Sequence, residues 1–161
     1  MITSDKRVWE RLKKNFLKQE QTKLNLGWFE SDRYGPENDN LPMAQVAKWN
    51  EEGHNNGEGS LVPGAETPPR PFMRVGLRKE LKAGSNDKEF KKIVQAVAEG
   101  KSVFQPMRES GSAFRRTLQE TMMRWDTPPN ADFTIDLKGF DDPLYRTGQL
   151  ISSVGFKVGE D

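Results

Sequence analysis

Four aspartates, Asp132, Asp136, Asp141 and Asp142, are the residues whose type and spacing come nearest to a reactive site. Carboxylates grouped in this way hold the two divalent cations of a metal nuclease. Their neighbours argue for a plainer role. Asp141 and Asp142 stand between Gly139 and Pro143, as turn-forming residues do, and Asp132 follows Pro128-Pro129-Asn130, where a short side chain caps the local backbone. The tripeptide His54-Asn55-Asn56 has the look of a metal-nuclease motif, yet that chemistry needs a second histidine and His54 is the only one. Gly57-Glu58-Gly59 lacks the spacing of either phosphate-binding glycine loop. No serine, lysine or tyrosine stands at nucleophile–base spacing. Without cysteine there is no thiol nucleophile, thiolate zinc site, iron–sulfur cluster or disulfide. The expectation is a non-enzyme with no catalytic residue, no cofactor and no metal.

The scaffold that would carry any site is modest. In 161 residues, 34% are hydrophobic and 30% charged, and the mean hydropathy is −0.84. That composition supports one domain over 1–161 with a thin core. Lys and Arg number 25 against 24 Asp and Glu, so no bulk field draws the chain to DNA or to an anionic membrane. There is no apolar run of about 18 residues to span a bilayer, and the first residues lack the apolar centre of a secretory signal. No internal repeat is present.

Periodicity divides the chain into elements. Ser4 to Gln19 reads as an amphipathic helix capped by Ser4, with Val8, Trp9, Leu12 and Phe16 on one face and a basic, solvated face opposite. Residues 1–20 are expected to form an N-terminal helix at the periphery of the domain. Leu24, Leu26 and Trp28 alternate as in a half-buried strand. Pro42 opens a short helix that Gly53 closes. From His54 to Pro71 a long irregular loop rich in Gly and Asn stiffens at Thr67-Pro68-Pro69-Arg70-Pro71, and its His54–Thr67 part is expected to order on assembly. Three helices follow: Phe72 to Ala83, stopped by Gly84; Asn86 to Glu99, with an Asn86–Glu89 capping box and a stop at Gly100; and Phe104 to Trp125, broken near Gly111. The stripe Met107, Phe114, Leu118, Met122 and Trp125 reads as core. Ala131 to Leu150 reads as turn and loop, with Phe133, Ile135 and Leu137 as short-strand or packing residues. Val154, Phe156 and Val158 alternate in a final strand. The sum is an α+β fold, with a small mixed or antiparallel β-sheet packed against several amphipathic helices and a long irregular loop.

Two rigid corners are left over, Pro68-Pro69-Arg70-Pro71-Phe72 and Pro128-Pro129-Asn130. On a thin core they suit either simple helix termination or a subunit that finishes burying surface against copies of itself.

Read in order, the strings Leu24-Asn25-Leu26-Gly27-Trp28-Phe29, Ala44-Gln45-Val46-Ala47-Lys48-Trp49-Asn50-Glu51-Glu52-Gly53, Pro68-Pro69-Arg70-Pro71-Phe72-Met73-Arg74, Pro128-Pro129-Asn130-Ala131, Thr134-Ile135, Lys138-Gly139, Asp142-Pro143-Leu144 and Thr147-Gly148-Gln149-Leu150 resemble one family. It is that of the tailed-bacteriophage virion-morphogenesis proteins, also described as tail-completion or neck proteins. The likeness runs from about residue 24 to the C-terminal end. Glu52, where an aromatic residue is expected, and Tyr145 depart from the pattern.

The resemblance implies a structural virion protein, assembled in the host cytoplasm, that forms a homo-oligomeric ring at the head–tail junction or the head-proximal end of the tail. A hexamer fits a tail-side ring and a dodecamer a head-side one. Partners would be the neighbouring neck or connector protein and the tail-tube or tail-terminator protein, with packaged DNA passing through the ring without sequence-specific contacts and no membrane involved. Candidate subunit or partner contacts are Trp49, Glu51, Arg70, Phe72, Arg74, Thr147 and Gly148. Arg70 is expected to cross to a carboxylate or backbone of a neighbouring subunit, and Thr147-Gly148 to make a tight turn into the last strand. Arg70→Ala and Gly148→Val should then weaken particle assembly, and normal infectious yield from both would refute that role. The alternative is a nucleic-acid-binding accessory factor acting through the basic first helix.

Overall fold

A computed structural model describes residues 5–58, 63–82 and 85–159, with backbone alone at 85–87. Among these residues the fold is α+β, with seven helices and two two-stranded antiparallel sheets. Ser4, Gly84 and the Asn86 cap lie outside what it describes.

Helix α1 (Lys6–Gln19) is capped by Asp5, whose carboxylate accepts from Arg7 N at 2.9 Å. Strand β1 (Lys23–Gly27) pairs with the last strand, β4 (Gly155–Gly159), so that Leu24 faces Val158 and Leu26 faces Phe156. Chain segments far apart in sequence thus form one ribbon, which lies on the long helix α5 (Phe104–Met123). After a 3₁₀ turn (Pro36–Asn38) comes α2 (Met43–Glu52), flanked by Pro42 and Gly53 as the sequence predicts.

The segment after α2 is less irregular than expected. Strands β2 (His54–Asn55) and β3 (Glu66–Thr67) pair as a hairpin, His54 opposite Thr67. Gly53 adopts φ +74°, and a Cβ there would stand 2.8 Å from the Thr67 carbonyl, so the hairpin needs glycine at its base. The middle of the loop, 59–62, lies outside the described residues, and with it the expectation of ordering on assembly.

Helices α3 (Phe72–Lys82) and α4 (Ser85–Glu99) follow the expected limits closely. The break expected at Gly111 does not occur: α5 runs unbroken for 20 residues. Gly111 is there because the β1–β4 ribbon crosses at that point, with Phe156 and Leu24 against its Cα. The region 131–150, expected to be turn and loop, holds two helices, α6 (Asp132–Lys138) and α7 (Gln149–Ser152). Asp132 lies in the first turn of α6, Ala131 takes the cap position, and Gly139 closes the helix in the left-handed region.

The core joins Met43 and Ala47 of α2, Phe72 of α3, Leu118 and Met122 of α5, and Leu144, Leu150, Ile151 and Val154 near the C-terminal end. Trp28 packs edge-on against Phe72, ring centroids 6.1 Å apart. Its indole N–H donates to the Leu150 carbonyl at 2.8 Å, tying the end of β1 to α7. The expected stripe on α5 is core in its second half, where Leu118 and Met122 are buried, and half-buried at Met107, Phe114 and Trp125.

Candidate functional site

Three of the strings that carried the resemblance meet at one place, where α2 ends, α3 begins and the Pro128-Pro129 corner passes. Asn50 starts it. Its side-chain amide donates to Val46 O at 2.9 Å, which fixes the rotamer and aims Oδ1 outward from the helix. Its own carbonyl accepts the Arg70 N–H at 2.6 Å, and Oδ1 accepts from Arg70 Nη1 at 3.4 Å. Arg70 then spreads across the second corner. Nε donates to Pro128 O at 3.2 Å and Nη2 to Pro129 O at 3.0 Å, with Asn130 Oδ1 at 3.5 Å from Nη2. The planar fork of a guanidinium suits two successive carbonyls in this way, and an ammonium does not. The Thr127–Pro128 peptide bond is cis. Asn130 N donates to Asp141 Oδ1 at 2.9 Å, so the aspartate braces the corner.

Arg70 is 6% exposed. Burial pushes its pKa below the ordinary guanidinium value, and the nearby Asp141 carboxylate opposes that shift. The charge is kept and internally compensated.

Glu51, the next residue of α2, does a parallel job. Its carboxylate accepts from Met73 N at 2.7 Å and Arg74 N at 3.2 Å, and from Arg74 Nε at 3.0 Å. It therefore caps α3 from another helix, where unpaired N–H groups and the helix dipole favour an anion. Arg74 itself is largely in water, so the ion pair contributes little and the two backbone bonds carry the effect. Glu51→Ala should cost about 2 kcal/mol of unfolding free energy, whereas Arg74→Ala should cost less than about 0.5 kcal/mol. Equal losses in urea unfolding would refute this ranking.

Beside Arg70 opens a groove of about 720 Å³, bordered by Tyr34, Val46, Lys138, Leu144, Tyr145 and Thr147 among others. Lys138 donates to the Asp142 carbonyl and lies 4.9 Å from the Phe140 ring centroid. Burial chiefly lowers its pKa, with Asp142 opposing and Arg70 adding to the shift. Burial likewise raises the pKa of the Tyr34 hydroxyl.

The candidate contact residues separate clearly. Glu51, Arg70, Phe72 and Arg74 come together at the α2–α3 junction, and Thr147 and Gly148 line the groove on its far side. Three of these are turned inward. Phe72 is 0% exposed and enclosed by its own chain, which leaves no surface for a neighbour. Glu51 and Arg70 spend their charge on this chain, so the expected reach of Arg70 to another subunit is replaced by an intramolecular one. Thr147 Oγ1 accepts from Gln149 N at 3.4 Å and Gly148 has φ +77°. The turn they form opens α7, which in turn leads to the last strand. Trp49 stands apart, stacked on His54 at 5.5 Å. Glu52, one of the two departures from the pattern of the resemblance, is exposed.

Sequence reasoning did not single out Asn50, Asn130, Tyr34 or Lys138. Asn50, Asn130 and Lys138 lay inside the quoted strings, but nothing local marks the two asparagines as partners of Arg70. Among the described residues no three His, Asp or Glu side chains are grouped to hold a metal ion, and no helix is long and apolar enough to cross a membrane. The fold and this junction define a small α+β scaffold whose buried charges are used to lock its own loops. No protein-family model, curated protein or solved structure matches the chain.

Proposed function

We propose that this chain is a structural subunit of a phage particle, one copy in a ring at the head–tail junction or the head-proximal end of the tail. There it completes the tail and joins it to the neck. One observation supports this reading most directly. Helix α1 is strongly two-faced, yet none of its residues is buried, and Trp9, Phe16 and Leu17 are all more than half exposed. Further apolar side chains stand in water on α3, α4 and α6. A monomer gains nothing from that arrangement, whereas a subunit covers such faces when it assembles. The locked α2–α3 junction fits the same role, since a ring subunit must hold its shape while bearing load.

Reconstruction of the particle's neck by cryo-EM tests the reading. A closed ring containing this chain is the expected result, hexameric on the tail side or dodecameric on the head side. Absence of the chain from the mature particle would overturn it.

A second reading, a nucleic-acid-binding accessory factor, draws on α1, where Lys6, Arg7, Arg11, Lys13, Lys14 and Lys18 face a single carboxylate, Glu10. It requires binding that falls steeply with salt and disappears when these cations are replaced.

A further inference from the structure

Charge is divided unevenly over the molecule. The six cations of α1 against Glu10 make +5, so with a total of +1 the rest of the chain holds −4. Along one edge of α1, Trp9 and Phe16 lie two turns apart, 65% and 62% exposed, with Lys13 between them. The adjoining flank of the helix is held in place. Asn15 Nδ2 donates to Ala98 O at 3.4 Å, and Gln19 Oε1 accepts from Val103 N at 3.3 Å. The helix is thus fixed along one flank and bare along the next.

Helix α6 presents a face of opposite charge. Thr134 and Lys138 turn toward the groove. Phe133 and Leu137, one turn apart, lie about a quarter turn round the helix from these, 50% and 53% exposed. Asp132 and Asp136 flank them and are exposed as well. An apolar pair edged by carboxylates therefore matches an aromatic pair edged by lysines, and the two faces lie on different parts of the subunit. Helix α1 is anchored to α4, while α6 borders the groove at Arg70.

The geometry points to a contact between copies in which α1 of one subunit docks on α6 of the next. Trp9 and Phe16 cover Phe133 and Leu137, and the lysines of α1 meet Asp132 and Asp136. The inference rests on the ring reading and names the surface that builds it. Because it joins unlike faces, each added copy leaves one of each face open, so the contact repeats until rotation closes it into a ring. Duplex nucleic acid would use the cations of α1 but not its exposed rings, and nucleic acid of any form would be repelled by the carboxylates of α6. An anionic bilayer would be repelled by the remaining −4.

Sedimentation velocity and native mass spectrometry of the full chain test the contact, with circular dichroism to show that each variant is folded. Trp9→Glu/Phe16→Glu and Phe133→Lys/Leu137→Lys should each weaken self-association by about thirtyfold or more. Mixed together, the two variants should give one-to-one dimers that grow no further, since each retains one intact face. Lys13→Asp and Asp136→Lys should each weaken assembly and, combined in one chain, restore it. The contact is overturned if the unaltered chain stays monomeric at about 100 μM, where a micromolar interface is saturated. It is equally overturned if the variants assemble normally or if the mixture forms no dimer. These results leave the ring reading standing as long as the chain is found in the particle's neck, and absence from the neck removes that reading whatever happens in solution.

Discussion

Arg70→Ala should lower the unfolding free energy by about 3–5 kcal/mol, the usual cost of removing one partner from a buried charged network. Two carbonyls of the Pro128-Pro129 corner lose their donors, as does Asn50 Oδ1. Each buried acceptor left without a partner costs about 1–3 kcal/mol, so the estimate does not require every one to stay unsatisfied. Arg70→Lys should recover less than half of the loss, because one ammonium cannot serve two successive carbonyls as the planar fork does. Urea unfolding followed by tryptophan fluorescence reads both, with Trp125 close to the corner and Trp28 in the core. A loss below about 1 kcal/mol for Arg70→Ala would mean that water replaces the guanidinium freely, and the keystone role would be abandoned.

Gly111→Val is the second large effect. A Cβ at this position would stand 2.4 Å from Phe156 Cδ2 and 2.8 Å from Leu24 Cδ1, both on the ribbon that crosses α5. Replacing glycine inside a helix normally stabilises by up to about 1 kcal/mol. Here overpacking opposes that gain and wins, because the ribbon must lift or both side chains must leave their rotamers. A net loss of about 3 kcal/mol is expected, with faster hydrogen exchange at the β1 and β4 amides than at the interior of α5. Gly57→Ala provides the comparison, since nothing lies within 4 Å of a Cβ there, and it should change stability by less than about 0.5 kcal/mol. If Gly111→Val instead stabilised the protein, the glycine would be a helix defect rather than a contact.

Together these substitutions change how assembly defects should be interpreted. Arg70 and Gly148 act within the chain, Arg70 through the corner and Gly148 through a left-handed turn with the Tyr145 ring 3.1 Å from where its Cβ would be. Lost infectivity from Arg70→Ala or Gly148→Val would therefore report first on folding. The exposed faces of α1 and α6 are the places where a substitution changes assembly and leaves the fold intact.

The helices and the closing strand were legible because their signals are local. Gly53 and Gly100 punctuate helices whose apolar residues recur over about two turns, and Val154, Phe156 and Val158 alternate over the last strand. Helix α6 was not legible. Over the seven residues of Asp132–Lys138, Phe133, Ile135 and Leu137 fit a strand's period as well as a helix's, and the preceding prolines suggest a loop. Gly111 was misread for a different reason: a glycine inside a helical pattern looks like a break unless one knows what crosses it. The sequence by itself determined that Arg70 belongs to a rigid proline corner and that no cysteine or second histidine is available for chemistry. Only the tertiary structure decided where the guanidinium goes, to carbonyls 58 and 59 residues away in the same chain. A cation's acceptors are set by which segments the packed core brings within 3 Å or so of it, and that distance is a property of the assembled fold, not of the residues on either side.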